Sequence, residues 1–357
     1  MQPEAEAPTN VRSLRLVTIV LAAATGLSVA NIYYSQPLLG LIANAFHTSR
    51  GTAAITVTAT QLGYAAGIVL LLPLGDLFEN RKLTSRTLVV TALVLAGAVV
   101  APNYSIFLIL SILIGTTSVV AQILIPLAAH LAPEAERGQF VGRVMSGLLL
   151  GILLARTVAS LLAGLWGWRS VYLISAVLML GTAVALRTLL PTRTPDHKDS
   201  YRLLMRSILT LARTEPALRR RAAGQAMMFG AFSSFWTSIA FELTAVHHLS
   251  QNGIALFALV GAAGAAAAPV AGRLGDRGYG RITSGIAFVL AAGAMVLADA
   301  GSHQLLVLAA AGVLLDLAVQ GHQVLSQREI YALRPNARAR INTVFMGSVF
   351  FGGAIAS

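Results

Sequence analysis

The sequence predicts an all-α, polytopic membrane protein built as two six-helix bundles in parallel repeat, with the last helix or helices missing. Three observations predict it. The 357 residues are 56% hydrophobic and 11% charged, where soluble proteins average about 25% charged; so few charges cannot cover a chain of this length in water. Apolar stretches of the length needed to span a bilayer, about 20 residues, recur along the chain. A pattern in the first half returns in the second at a constant offset.

The spans follow in order. Residues 16–36 and 51–75 carry no charge, and neither does 87–129, which Pro102-Asn103 breaks into two spans joined by a tight turn. Residues 144–168 are apolar apart from Arg156, and 170–186 complete six spans. The stretch 187–221 is polar, with nine basic residues, prolines at 191 and 195, and leucines at 203, 204, 209 and 211. Two readings stand open for it, a surface-lying amphipathic helix and a solvated linker. Spans resume at 222–244, which holds Glu242, then at 249–272, 282–298 and 304–327, the last interrupted by Asp316 and His322. An eleventh begins at Ile341 and contains Ser357. The predicted units are therefore 1–186, a cytoplasmic linker over 187–221, and an incomplete second bundle over 222–357.

Charge sets the orientation. With the N-terminus in the cytoplasm, 23 of the 26 Lys and Arg residues fall on the inner side, only Arg50 and Arg169 lie outside, and Arg156 lies within the membrane. That is the positive-inside bias. The net charge of +12 points to the inner loops and not to nucleic acid, because the basic residues sit between apolar spans. The segment before residue 11 contains Glu4 and Glu6 and reads as a cytoplasmic tail, not a cleaved leader. There is no cysteine, which excludes disulfides and thiolate metal sites. No phosphate loop, metal-ligand spacing or nucleophile triad is present, so an enzyme is not expected, no catalytic residue, metal or cofactor is assigned, and energy would come from an ion gradient.

Leu74-Gly75-Asp76 with Arg81 recurs as Leu274-Gly275-Asp276 with Arg281, and Leu131, Pro133 and Ala135 recur as Leu333, Pro335 and Ala337. Two halves in the same orientation fit a repeat about an axis along the membrane normal, with a solute path between them. The run Gly272-Arg273-Leu274-Gly275-Asp276-Arg277-Gly278-Tyr279-Gly280-Arg281 resembles the loop signature of the major facilitator superfamily, G-x-L-x-D-R-x-G-R-K. The loop 73–82 resembles it less closely, with Leu72 for the first glycine and Leu77 for the arginine after Asp76, and both loops are one residue longer than the usual spacing. The resemblance spans about ten helices and the central segment. It implies a transporter with a latch on the cytoplasmic face, carried here by Gly75, Asp76, Arg81, Gly272, Asp276, Arg277 and Arg281. Asp76 and Asp276 are expected to cap helix N-termini and to pair with arginine.

Gly147 to Arg156 resembles the family's antiporter signature G-x-x-x-G-P-x-x-G-G, with Ala155-Arg156 in place of its later glycines. Gly147 and Gly151, four apart, share one helix face and let a neighbouring helix approach closely. The family's fourth-span arginine is replaced by Ser111, four residues before Gly115.

Arg156 is the most informative residue. An arginine at mid-span costs about 2.5–3.5 kcal/mol on the insertion scale and normally faces a wet cavity or a partner. It is a candidate contact for an anionic substrate group or a coupling ion, against a purely structural pairing. Asp316, also mid-span, is a candidate proton carrier, against a fixed salt bridge or a cap at an unwound turn. His322 lies six residues on and off that face, Glu242 reads as interfacial, and His247 and His248 as solvated. Asn31, in a cluster with Tyr33, Tyr34, Gln36 and Pro37, is a candidate cavity residue, as are Gln61, Gln122 and Gln225; Tyr64 and Trp236 are further amphipathic positions. The reading is a monomeric secondary transporter in the cell inner membrane, moving a small solute by alternating access, coupled to protons and directed toward efflux. The alternatives are an inactive remnant truncated in the eleventh span and a non-transporting membrane sensor.

Overall fold

The computed structural model describes residues 11–132, 137–192, 200–261, 267–334 and 337–357. Pro133, Ala135 and Pro335 of the second repeated pattern lie outside these ranges, as do Glu4 and Glu6. Among the described residues all regular structure is helical. Through the first half run α1 (Val11–Ala30), α2 (Leu39–Ala45), α3 (Arg50–Leu70), α4 (Asn80–Val99), α5 (Tyr104–Thr117), α6 (Val120–Leu131), α7 (Arg137–Trp166) and α8 (Trp168–Leu189). The second half contains α9 (Tyr201–Thr214), α10 (Pro216–Ala245), α11 (Gln251–Ala258), α12 (Ala267–Asp276), α13 (Gly280–Ala300), α14 (Leu305–Leu333) and α15 (Arg338–Ala356). Eight helical segments are long and apolar enough to cross a membrane, and Arg15–Ala30 and Gln251–Gly261 are shorter apolar helices. Leu93, Leu165, Val177, Val289 and Leu306 stand exposed on the outside, as they must if their solvent is lipid.

Local chemistry sets the helix ends. Ser49, Asn103, Ser200 and Ser250 each accept a hydrogen bond from a backbone N–H of the first turn of α3, α5, α9 and α11, which satisfies one of the orphan donors there. The first predicted span is not one helix. After α1 the chain unwinds over 31–35, makes a 3₁₀ turn at Gln36–Leu38 and re-forms as α2. Every residue from Asn31 to Leu39 is buried in protein, the condition under which irregular backbone is tolerated at membrane depth. The fourth span is likewise interrupted between α5 and α6, where the Ser118 hydroxyl donates to the Ile114 carbonyl at 2.6 Å.

Within the first half α1 packs on α7, α3 on α5 and α4 on α8; within the second α10 packs on α15 and α13 on α14. The halves meet through α3 against α15 and α7 against α11. Glycines bring some of these backbones together. A Cβ on Gly147 or Gly151 would run into the backbone of Ala22 or Gly26 on α1, and one on Gly115 into the backbone of Thr60 on α3. The close approach expected of Gly147 and Gly151 is therefore the α1–α7 contact.

The polar stretch 187–221 divides. α9 buries Leu204, Ile208 and Leu211 and exposes Leu203 and Leu209, and residues 216–221 already belong to α10. The Tyr201 hydroxyl donates to the Leu70 carbonyl at 3.0 Å, and Arg340 Nη1 donates to Ser207 Oγ at 2.6 Å, so α9 touches both halves at the end where α3 finishes and α15 starts.

Candidate functional site

The unwound stretch after α1 places Gln36 beside α7. Arg156 Nε donates to Gln36 Oε1 at 2.7 Å. Arg156 is 3% exposed, and its guanidinium lies over three rings, with its carbon 4.3 Å from the Trp236 centroid, 4.9 Å from Tyr33 and 5.1 Å from Phe232. Tyr33 and Gln36 come from the first half; Phe232 and Trp236, one turn apart on α10, come from the second. Trp236 Nε1 donates to Asp316 Oδ1 at 3.0 Å, and Asp316 is also 3% exposed. A cation of one half thus stacks on an indole of the other, and that indole holds the carboxylate. Such stacking is strongest where water is excluded. Arg156 Nη2 and Gln36 Nε2 are buried with no hydrogen-bond partner, and a buried donor left unpaired is costly. Gln36, Pro37, Arg156, Trp236, Ile254 and Phe257 help line a small cavity of about 10 Å³, room for about one water molecule. The interface is closed around Arg156.

The remaining predicted residues fall into separate groups. Gln61 Nε2 donates to Ser233 Oγ at 2.7 Å, across from α3 to α10. Gln122 Nε2 donates to the Tyr64 hydroxyl at 3.3 Å, and Gln122 Oε1 accepts from Asn342 Nδ2 at 3.5 Å. Both groups join the two halves. Asn31 is turned away from Arg156: its Oδ1 accepts from Ser175 Oγ at 2.6 Å and its Nδ2 lies 3.5 Å from Met179 Sδ on α8. Gln225 stays within the second half, with Nε2 donating to the Val319 carbonyl at 3.3 Å and Oε1 lying 2.6 Å from His322 Nδ1. His322 and Asp316 accordingly serve different neighbours.

At the end of the molecule that carries the repeated loops, Asp276 Oδ1 lies 3.2 Å from Arg328 Nη2, and Arg328 Nη1 donates to the Gly275 carbonyl. Gly272 lies within α12, while Arg277 and Arg281 are exposed. Gly278 has φ +85°, a conformation that a side chain rarely adopts. The first-half loop has Phe78 two residues after Asp76 and makes a 3₁₀ turn over Leu72–Asp76 that contains Gly75. Beyond it Glu79 pairs with Lys82 at 2.6 Å and with Arg81 at 3.4 Å. The hydrogen bond from Lys82 holds the Glu79 carboxyl below the ordinary glutamate value. Arg81 Nη1 also donates to the Leu190 carbonyl at 3.4 Å.

Two expectations are corrected. Asp76 and Asp276 are not helix N-caps: Asp76 ends the 3₁₀ turn and Asp276 ends α12, while Glu79 and Tyr279 occupy the N-cap positions of α4 and α13. The extra residues between each aspartate and the following helix carry it past the cap. His247 is not merely solvated, because its Nε2 lies 2.8 Å from the Ser302 carbonyl.

Sequence reasoning passed over Phe232, Ser233 and Asn342. The spacing of Phe232 and Trp236 by four was the available signal for an aromatic helix face; nothing local points to Asn342, which lies 220 residues from Gln122.

Comparison with known proteins agrees with this architecture. The chain is 43% identical over 341 residues to "Uncharacterized transporter YgaY" of Escherichia coli O157:H7, covering 95% of this chain and 86% of that protein. It is 34% identical over 359 residues to "Probable transporter SCO4007" of Streptomyces coelicolor, covering 100% and 83%. In fold it is similar to the inward-facing, unoccupied crystal structure of a bacterial homolog of the human lysosomal transporter Spinster, with a TM-score of 0.77 at 17% identity over 97% of this chain and 81% of that one. The occupied form of the same homolog gives a TM-score of 0.74 at 16% identity, over 98% and 81%. Since the sequence also matches the Major Facilitator Superfamily over residues 21–357, the chain belongs to that family of multi-pass membrane transporters.

Proposed function

We propose that the chain is a monomeric, proton-coupled secondary transporter of the cell inner membrane, with its N-terminus in the cytoplasm, moving a small solute outward by alternating access. The observation that carries this reading is Arg156, buried between Gln36 of one half and the Trp236–Asp316 pair of the other. A charge costly to bury is placed where two packed halves can separate. Asp316 exchanges protons, and Arg156 contacts substrate or balances charge. Gln61 and Gln122, bonded across the same interface, line the path with Asn31 and Gln225 behind them. Gly75, Asp76, Arg81, Gly272, Asp276, Arg277 and Arg281 form the latch at the cytoplasmic end, with Arg328 as the partner of Asp276.

Outward movement driven by protons requires solute and proton to compete. A solute that replaces the proton at Asp316 gives that competition. A specific observation favours a second reading: Arg156 Nη2 and Gln36 Nε2 are both unpartnered donors, the equipment for an anion. One guanidinium cannot neutralise a substrate anion and Asp316 together, so anion binding would favour a protonated Asp316. Proton and anion would then travel together and inward.

The test is transport by the full chain in proteoliposomes under an imposed pH gradient. Sugars, drugs and organic anions are screened, and an internal pH dye reports proton movement. Asp316→Asn keeps an oxygen for the Trp236 N–H, so it should abolish gradient-driven transport and leave counterflow intact. Normal driven transport in that variant would remove Asp316 from coupling. Opposed solute and proton fluxes favour the first reading, and parallel fluxes the second.

A further inference from the structure

The contact of α7 with α11 runs from the Arg156 cavity toward the end of the molecule opposite the repeated loops. Gly164 shows which faces meet there: a Cβ added to it would lie 3.3 Å from Gln251 Cβ and from Asn252 Oδ1. Thr157 and Ser160 precede Gly164 by seven and four residues and so share its face of α7. Across the seam Gln251, Ile254 and Ala258 share one face of α11, and the last two already line the Arg156 cavity. One row of side chains thus leads from Arg156 to the first turn of α11.

That row is polar and unsatisfied. Thr157 is 9% and Ser160 0% exposed, yet neither hydroxyl has a partner in the protein, and the buried Gln251 Oε1 has none either. With Gln36 Nε2 and Arg156 Nη2 they make five orphaned polar atoms on one stretch. A helical serine or threonine can satisfy itself on the carbonyl four residues back, as Thr25 and Thr60 do. Thr157 and Ser160 do not. Each orphan costs free energy only while the seam is dry, so together they favour the arrangement in which the seam takes up water.

We propose that this seam is the access route to Arg156 from the end opposite the loops, filled with water when the halves part there, with Thr157, Ser160 and Gln251 as hydrogen-bonding contacts for a hydrophilic solute. The route offers donors at Arg156 and Gln36, two hydroxyls that donate or accept, and an acceptor at Gln251. That set suits a small solute bearing hydroxyl, amine or carboxylate groups; an apolar solute entering from lipid would leave every one of these atoms unpaired. The claim that a solute uses the route rests on the transport reading. Hydration of the seam depends neither on Asp316 nor on protons.

Two adjacent residues supply the test. Ala159 and Ser160 are both 0% exposed but point about 100° apart around α7, so only Ser160 belongs to the seam. The full chain, which has no cysteine, is made as Ser160→Cys and as Ala159→Cys and placed in lipid vesicles. A neutral, water-soluble methanethiosulfonate then reports water, because it reacts with the thiolate. Ser160→Cys should react at least about tenfold faster than Ala159→Cys. Thr157→Val keeps the shape and removes one orphan, so adding it should slow the labelling of Ser160→Cys about tenfold. Equal rates at the two positions would overturn the proposal, as would a Ser160→Cys rate that Thr157→Val leaves unchanged or raises. Labelling as expected in a chain that a pH gradient does not drive would keep the water route and remove only the proton coupling.

Discussion

Replacing Trp236 by leucine separates closure of the two halves from stability within one half. The indole makes two contacts of different reach. It stacks under the Arg156 guanidinium at 4.3 Å, across the interface, and it donates to Asp316 at 3.0 Å within the second half. The first contact exists only while the halves are together. At a water-excluded site it contributes about 2 kcal/mol; Tyr33 and Phe232 still face Arg156 after the substitution, so the loss does not exceed that. The second contact exists whether the site is open or closed. Its loss leaves a buried carboxylate short of a donor, at about 1–3 kcal/mol, and lowers overall stability without favouring opening. At 1.4 kcal/mol per decade the cross-interface loss raises the open-to-closed ratio about 30-fold. The chain has no cysteine, so a single Ala258→Cys in the cavity wall, at a position 3% exposed, reports opening without background. In membrane vesicles, N-ethylmaleimide should label Ala258→Cys about 30-fold faster when Trp236→Leu is also present. An unchanged labelling rate in a chain that is still folded would refute the claim that Arg156 and Trp236 hold the halves together.

Two further predictions rest on packing and on the fork of Arg156. Gly147→Val drives a side chain into the Ala22 backbone and should destabilise by about 1–3 kcal/mol or more, read as a lower unfolding temperature in detergent, whereas Gly181→Ala, with no atom within 4 Å of the added methyl, should be neutral. Arg156→Lys keeps the charge but loses the Nε bond to Gln36; substrate affinity should fall about ten- to hundredfold while the amount inserted in the membrane stays the same, and equal affinity would take Arg156 out of the binding site.

Much of the helical layout is legible in the sequence because hydrocarbon imposes one rule on every span. The breaks are less legible. Residues 31–35 read as helix by hydropathy, yet they unwind ahead of Pro37, which has no N–H for the Tyr33 carbonyl, and the polar groups there find distant partners, Asn31 bonding Ser175 and Gln36 bonding Arg156, 144 and 120 residues away. The close approach of Gly147 and Gly151 was readable because two glycines four apart leave one outcome, a backbone moving in; which helix moved in was not. The burial of Arg156 and Asp316 was readable from their place in the apolar spans. Their connection was not, because it runs through Trp236, 80 residues from Asp316, and a tryptophan in an apolar span carries no local sign of its use. The loop aspartates Asp76 and Asp276 could be picked out by repetition. Their capping role failed because each helix starts later, with Glu79 and Tyr279, three residues beyond the aspartates, at the N-cap positions.

The central claim is that two halves rock about a buried charged contact, and distances at both ends of one molecule test it most directly. Spin labels on Lys82→Cys with Arg219→Cys report the loop-bearing end, and labels on Arg50→Cys with Asn252→Cys the opposite end; all four positions are exposed. Pulsed dipolar spectroscopy of the chain in lipid, across pH and with a transported solute, should show one pair separating as the other closes. Pairs that stay fixed, or lengthen together under every condition, would contradict alternating access.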